Sequence, residues 1–243
     1  MAEPWTLTRE MFLDERETAA LLRALDERVA HAGEDARAAA ITDRLIVQAL
    51  LFSGLRNSEF CRLRLRDTIV GTKKSAFEVR GTPRQDRTVF VPDSVSRLVR
   101  EYCDEVRRDA LPEGVAPKDL DQPLVLNERG NPYERTALYR RVVRILTDAG
   151  FGSKASVQLL RHTYGFLGYK RTGGNLLFLQ RQLGHAHPMV TIIYAEFVDE
   201  SYPELANRIG DGAATAGAPS KRRSASRANR SGASSSNQRS SNQ

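Results

Sequence analysis

Cysteine is scarce in this sequence. Cys61 and Cys103 are the only two in 243 residues, and they form no CxxC pair and no Cys/His cluster. A zinc site of the usual ligand spacing is therefore excluded, and a reducing, cytoplasmic setting is expected. Long apolar runs are missing too. The richest, LIVQALLF at 45–52, is far shorter than the roughly 20 residues of a membrane helix and contains Gln48. The first residues, MAEPWTLTREMFLDE, carry acids and no apolar segment, so no signal peptide is expected. The sequence has no phosphate-binding Gly-rich loop ending in Lys-Ser or Lys-Thr, no clustered-carboxylate metal motif and no internal repeat. No cofactor is expected.

What remains is an ordinary soluble composition, 40% apolar and 28% charged, in a chain long enough for one large domain with an appendage. Charge is unevenly placed. Residues 211–243 hold six Lys and Arg, Arg222 and Arg223 among them, against Asp211 alone. That leaves a net charge of +2 for the other 210 residues out of the total of +7. The tail is rich in Ser, Ala, Arg, Asn and Gln, which predicts disorder and suits a polyanionic partner. A merely solubilising tail fits the charge equally well.

Hydrophobic spacing predicts a mostly α-helical α+β fold. A helix opens at Asp14 with Leu21, Leu22, Leu25 and Val29 on one face. His31 to Asp35 reads as a loop, and a second helix spans about Ala38 to Ser53, ended by Gly54. Asn57 is placed to cap a short helix over 58–63. The period then changes. Thr68–Val70, Ala76–Val79 and Thr88–Val91 read as three short strands of a small antiparallel sheet. Further helices are expected over 94–108, 134–149, around Arg161, from Asn175 to Gly184, from Pro188 to Tyr194, and over 202–208. Residues 1–13 read as an extended N-terminal extension, 14–210 as the main domain, and 211–243 as the tail.

The chemistry concentrates in Val157 to Tyr194, VQLLRHTYGFLGYKRTGGNLLFLQRQLGHAHPMVTIIY, with Arg56 in SGLRNSE about a hundred residues upstream. A guanidinium is a fixed-charge, planar, multi-donor group that matches phosphate oxygens. Arg56 taken alone reads as half of a surface Arg–Glu pair with Glu59. Arg161 lies among Leu159, Leu160 and Phe166, so it needs a counter-charge, which a phosphate or a distant carboxylate would supply. His185 follows Gly184 at a helix end, able to donate to a phosphate oxygen or to handle a proton. His162 reads as a structural hydrogen-bonding residue. Tyr194 is a phenol that needs a cationic neighbourhood to become a nucleophile.

Together the segments SGLRNSEFCRLRLRD, QLLRHTYG, RQLGH and TIIYAEF, in this order and with nine residues from His185 to Tyr194, resemble the tyrosine recombinase, or phage integrase, family over about Phe12 to Asn207. The resemblance implies a catalytic domain in which Arg56 and Arg161 clamp the scissile phosphate and Tyr194 becomes linked to a DNA 3′-phosphate, with His185 as the second-half histidine. It implies site-specific cleavage and rejoining of double-stranded DNA by protomers assembled on DNA, as in a mobile element, with no metal or nucleotide cofactor. Gln158 stands where the family usually has His or Lys, and the turn RGTPRQDR holds Arg80, Arg84 and Arg87 but no lysine to protonate the leaving 5′-oxygen. Those three arginines, with Arg222 and Arg223, are the expected DNA-binding cations. A catalytically weak DNA-binding accessory protein on the same fold is the alternative that the two departures leave open. The retained Arg56, Arg161, His185 and Tyr194 favour activity. Few residues precede the first helix, where the family usually carries a separate helical domain, so the basic tail is expected to strengthen DNA attraction.

Overall fold

The computed structural model describes residues 6–71, 74–81, 86–117 and 119–198. All lie in the first of two units, Met1–Asp199 and Glu200–Gln243. The helix expected over 202–208 and the tail, with Arg222 and Arg223, fall outside the described residues, as do Lys73 and Arg84.

Helix α1, Glu15–Ala30, begins with a reciprocal cap. The Asp14 carboxylate accepts the Glu17 N–H at 2.7 Å, and the Glu17 carboxylate accepts the Asp14 N–H at 2.9 Å. Leu21, Leu25 and Val29 point inward as their spacing predicts. Helix α2, Glu34–Ser53, starts four residues before the expected Ala38. Gly33 takes the cap position, and Glu34 and Asp35 occupy the first turn, where acids complement the helix dipole. The last two residues of the presumed loop are thus helix. Gly54 ends α2 in the left-handed region at φ 62°, as expected. Helix α3, Asn57–Phe60, is shorter than expected and starts after Arg56, because the Glu59 carboxylate takes the Arg56 backbone N–H at 2.8 Å.

Strands β1 (Thr68–Val70), β2 (Ser75–Val79) and β3 (Arg87–Phe90) form the antiparallel sheet in the order β1-β2-β3. Thr68 faces Phe77 and Glu78 faces Thr88. Helix α4, Asp93–Tyr102, runs through a π-turn, Cys103–Arg107, into the short α5, Arg108–Ala110. The connector that follows is tied down by its apolar middle. Leu124, Val125 and Leu126 are buried, and the Leu126 N–H donates to the Tyr102 hydroxyl at 2.9 Å. Helix α6, Arg135–Leu146, closes in a π-turn, Thr147–Phe151. Helix α7, Val157–Arg171, is capped by the Ser156 hydroxyl. Helix α8, Leu176–Leu183, is capped by Asn175, and the short α9, Met189–Ile192, precedes Tyr194.

Helix α2 is the central element. It is buried on nearly every side, as an all-round apolar helix must be. It packs against α1, α4, α6 and α7. A second apolar cluster joins Leu7 and Phe12 to Phe166, Leu179, Leu183 and Tyr194. The Phe12 ring stacks on Phe166 at 4.6 Å and meets Phe197 edge-on at 5.0 Å. The segment read as an extension therefore belongs to the body from Leu7 onward. Its few apolar residues were too widely spaced for a periodicity argument. No described helix is long and apolar enough to cross a membrane.

One carboxylate in α2 has no access to water. Asp43 is 0% exposed and accepts the Arg141 Nε–H at 2.6 Å, with the Arg28 guanidinium 3.4 Å away. Arg141 also donates to Glu128 and to the Tyr133 hydroxyl. Removing one member of such a buried group strands the other's charge. Asp43→Ala is therefore expected to cost roughly 3–5 kcal/mol. This would be read as a lower urea midpoint at unchanged slope.

Candidate active site

Arg56, Gln158, Arg161, His185 and Tyr194 line one cavity of about 770 Å³. The sequence scatters them over α2–α3, α7, the end of α8 and the turn after α9, and the fold brings all five together. His162 lines the same cavity.

Arg56 leaves the αL turn at the end of α2 and donates to Glu59 Oε1 at 2.9 Å and to the Gly184 carbonyl at 3.2 Å. Glu59 is no surface partner. Its side chain is 8% exposed and also takes both terminal nitrogens of Arg87, each at 2.9 Å. Burial acts to raise the Glu59 pKa. The Arg87 and Arg56 hydrogen bonds outweigh it and hold it down to about 2. Arg87 adds a third bond, from Nε to the Gln182 carbonyl at 3.0 Å. It thus joins β3 to α3 and α8, with its guanidinium engaged inside the body, whereas the sequence reading makes it a DNA-binding cation. Arg80 lies elsewhere, 63% exposed and bonded to Asp67 at 2.8 Å.

Arg161 is 6% exposed. It donates to the Gly54 carbonyl and, at 2.8 Å, to the Leu183 carbonyl. Both acceptors sit at helix C-termini, of α2 and α8, where the dipole is negative. Partial charges take the place of the counter-ion that the sequence could not supply. Burial lowers the Arg161 pKa to about 10, and Arg56 adds to the effect. The group stays charged at neutral pH and remains incompletely compensated.

The two imidazoles are neutral. Burial takes His185 down to about 4, helped by Arg161 and Arg56, and its Nδ1 lies 2.9 Å from the Thr191 hydroxyl. Burial and then Arg161 take His162 down to about 4 as well. Tyr194 is 1% exposed, and burial pushes its pKa up to about 12 against the opposing pull of Arg161. Its hydroxyl lies 3.2 Å from His162 Nδ1. Its ring rests on Gly165, where an added Cβ would come within 2.1 Å of Tyr194 Cζ.

Two lysines bear on the one that the hairpin turn lacks. Lys154 lines the cavity but is paired with Glu17 at 2.6 Å. Lys74 lies over the Phe90 ring at 5.3 Å. Sequence reasoning gave His162 a hydrogen bond but not its partner, because the contact with Tyr194 spans 32 residues and two intervening helices. It missed the internal role of Arg87 because a turn arginine reads as exposed. Among the described residues, no group of three or more His, Cys, Asp or Glu is placed to hold a metal ion.

Residues 11–200 match the model of the phage integrase family, and the chain belongs to that family. Among curated relatives, tyrosine recombinase XerH of Helicobacter pylori is 26% identical over 68% of this chain and 44% of its own length. Tyrosine recombinase XerA of Pyrococcus furiosus is 30% identical over 69% of this chain and 54% of its own. The chain spans about half the length of such relatives. Among solved structures, XerH site-specific recombinase bound to difH substrate in a pre-cleavage complex superimposes with a TM-score of 0.62 at 26% identity, covering 84% of this chain and 54% of that one. A crystal structure of XerA recombinase gives 0.61 at 23% identity over 86% and 66%, a likeness of fold.

The Tyr194 seat can be tested by a double-mutant cycle. Gly165→Ala is expected to cost about 1–3 kcal/mol through overpacking. The same change should cost little in a Tyr194→Ala background. Equal costs in both backgrounds, read by urea unfolding, would show that the glycine serves something other than the ring.

Proposed function

We propose that the protein cuts and rejoins double-stranded DNA at specific sites through a covalent 3′-phosphotyrosyl intermediate. The observation that carries this reading is the meeting of Tyr194 and the under-compensated Arg161 in one cavity with Arg56 and His185. A phosphodiester seated there supplies the anion that Arg161 otherwise lacks. Arg56 and Arg161 donate to its non-bridging oxygens, and Gln158, exposed at the rim, adds a neutral hydrogen bond. The Tyr194 oxygen attacks phosphorus, the P–O5′ bond breaks, and a 5′-hydroxyl leaves. The reverse attack by a second 5′-hydroxyl rejoins DNA without an external energy source. Charge grows at phosphorus in the pentavalent state, where fixed guanidiniums stabilise most.

Relatives named tyrosine recombinases, and a XerH site-specific recombinase solved bound to difH substrate, support the same reading. Arg80 and Arg84 are assigned to the DNA backbone, with Arg222 and Arg223 of the tail. Arg87 acts through Glu59. Strand exchange requires protomers assembled on two DNA sites.

The test is a nicked cognate duplex in EDTA, from which the short 5′-hydroxyl fragment diffuses away. Wild type is expected to accumulate a tyrosyl–DNA adduct, and Tyr194→Phe none. DNA binding without an adduct on a verified site would establish the accessory-protein alternative. Removing residues 211–243 is expected to weaken DNA affinity at low salt and to flatten its salt dependence. Unchanged affinity in a binding titration would remove the tail from DNA binding.

A further inference from the structure

Tyr194 in this cavity is a protonated phenol, so something must take its proton as it attacks. Gln158, which stands where the family usually has His or Lys, has an amide that cannot hold one. Among the other titratable groups facing the cavity, Lys154 is engaged by Glu17, and His185 directs Nδ1 to Thr191. Glu10 also lines the cavity, but no hydrogen bond joins it to the phenol. Among the described residues, the side chain hydrogen-bonded to the nucleophilic oxygen is His162, with Nδ1 3.2 Å away. The distance is at the outer edge of hydrogen-bond reach, as expected before a substrate tightens the site.

We infer that His162 is a catalytic residue, the general base that accepts the Tyr194 hydroxyl proton on Nδ1 as the phenolic oxygen attacks phosphorus. The inference rests on the phosphotyrosine reading above. With the imidazole as the Nε2–H tautomer, the O–H bond breaks, an N–H bond forms on Nδ1, and the oxygen's electron pair forms the O–P bond. The P–O5′ pair departs with the 5′-oxygen, which takes a proton from water. In rejoining, the imidazolium returns its proton to the departing phenolic oxygen, so one group serves both directions.

Burial and the nearby charge of Arg161 make His162 a poor base, and a bound substrate offsets the second of these. After burial, the charge of Arg161 is what holds its pKa down. A phosphodiester bound to Arg161 brings a negative charge alongside and offsets that effect. Proton acceptance is thereby coupled to occupancy of the clamp. Among the described residues, the ionisable groups that line the cavity with the imidazole are Arg161 on its own helix, Arg56 after α2, His185 after α8, Tyr194 after α9, and Glu10 and Lys154.

The experiment measures adduct formation on the nicked duplex for wild type, His162→Ala, His162→Asn and His162→Gln, each with tyrosine or 3,5-difluorotyrosine at position 194. Fluorination makes the phenol more acidic and less dependent on a base. The amide variants keep an acceptor for the hydroxyl but cannot hold the proton, so their cleavage is expected to fall at least about 100-fold. Difluorotyrosine is expected to recover most of that loss and to change wild type little. Circular dichroism and melting identify the variants that fold, and the three replacements differ enough in size to leave a folded one. Native rates in His162→Gln would overturn the inference and leave His162 as a seat. So would a loss that difluorotyrosine fails to relieve. A wild type that binds its verified site but forms no adduct would instead overturn the phosphotyrosine reading, and this inference with it.

Discussion

A buried guanidinium that forms no ion pair with a carboxylate among the described residues is the constraint on which the rest of the site depends. Arg161 is held by the carbonyls that end α2 and α8. Those two helix ends must converge on α7, and much of the architecture follows from that need. Gly54 turns the chain sharply so that Arg56 emerges beside the same spot, and Gly184 ends α8 with its carbonyl in reach of Arg56. A carboxylate in place of the two helix ends would hold Arg161 more firmly but would repel an incoming phosphate. Helix termini carry only partial charge, so they orient the guanidinium and leave most of its field available.

The other charges complete this arrangement. Glu59 stays ionised down to about pH 2 and binds Arg56 and Arg87 together, so the more exposed arginine is aimed by a pair instead of by its own flexible stem. Two neutral imidazoles and a neutral phenol then face two cations. A phosphodiester carries one negative charge, and its pentavalent state carries more. On the proposed reading, the site thus holds positive charge in excess of what the ground state needs, which is what differential stabilisation of a transition state requires.

Much of this was legible in the sequence, where local chemistry decides local structure. Gly54 marks the end of α2, the change of period at Thr68 marks the sheet, and the residues singled out by the family resemblance line one cavity. What was not legible depends on contacts between distant segments. Glu34 and Asp35 looked like loop residues because only the dipole of a helix not yet assigned explains them. Arg87 looked like a surface cation because its partner, Glu59, lies 28 residues away. His162 looked structural because adjacent helical residues point about 100° apart, and the sequence does not show that Tyr194 returns to that second direction. The two family positions that this chain has changed, Gln158 and the hairpin turn without lysine, were plain to read. Which neighbours stand close enough to take over was not.

The stacking of Phe12 between Phe166 and Phe197 has a mechanical consequence. The chain enters the body and approaches the end of its described part through one aromatic contact, three residues beyond the nucleophile. Whatever is joined ahead of Leu7 is therefore tethered at the flank of Tyr194, and so is whatever follows Val198. A tug on either tether would be borne first by rings that pack into the same apolar cluster as the tyrosine.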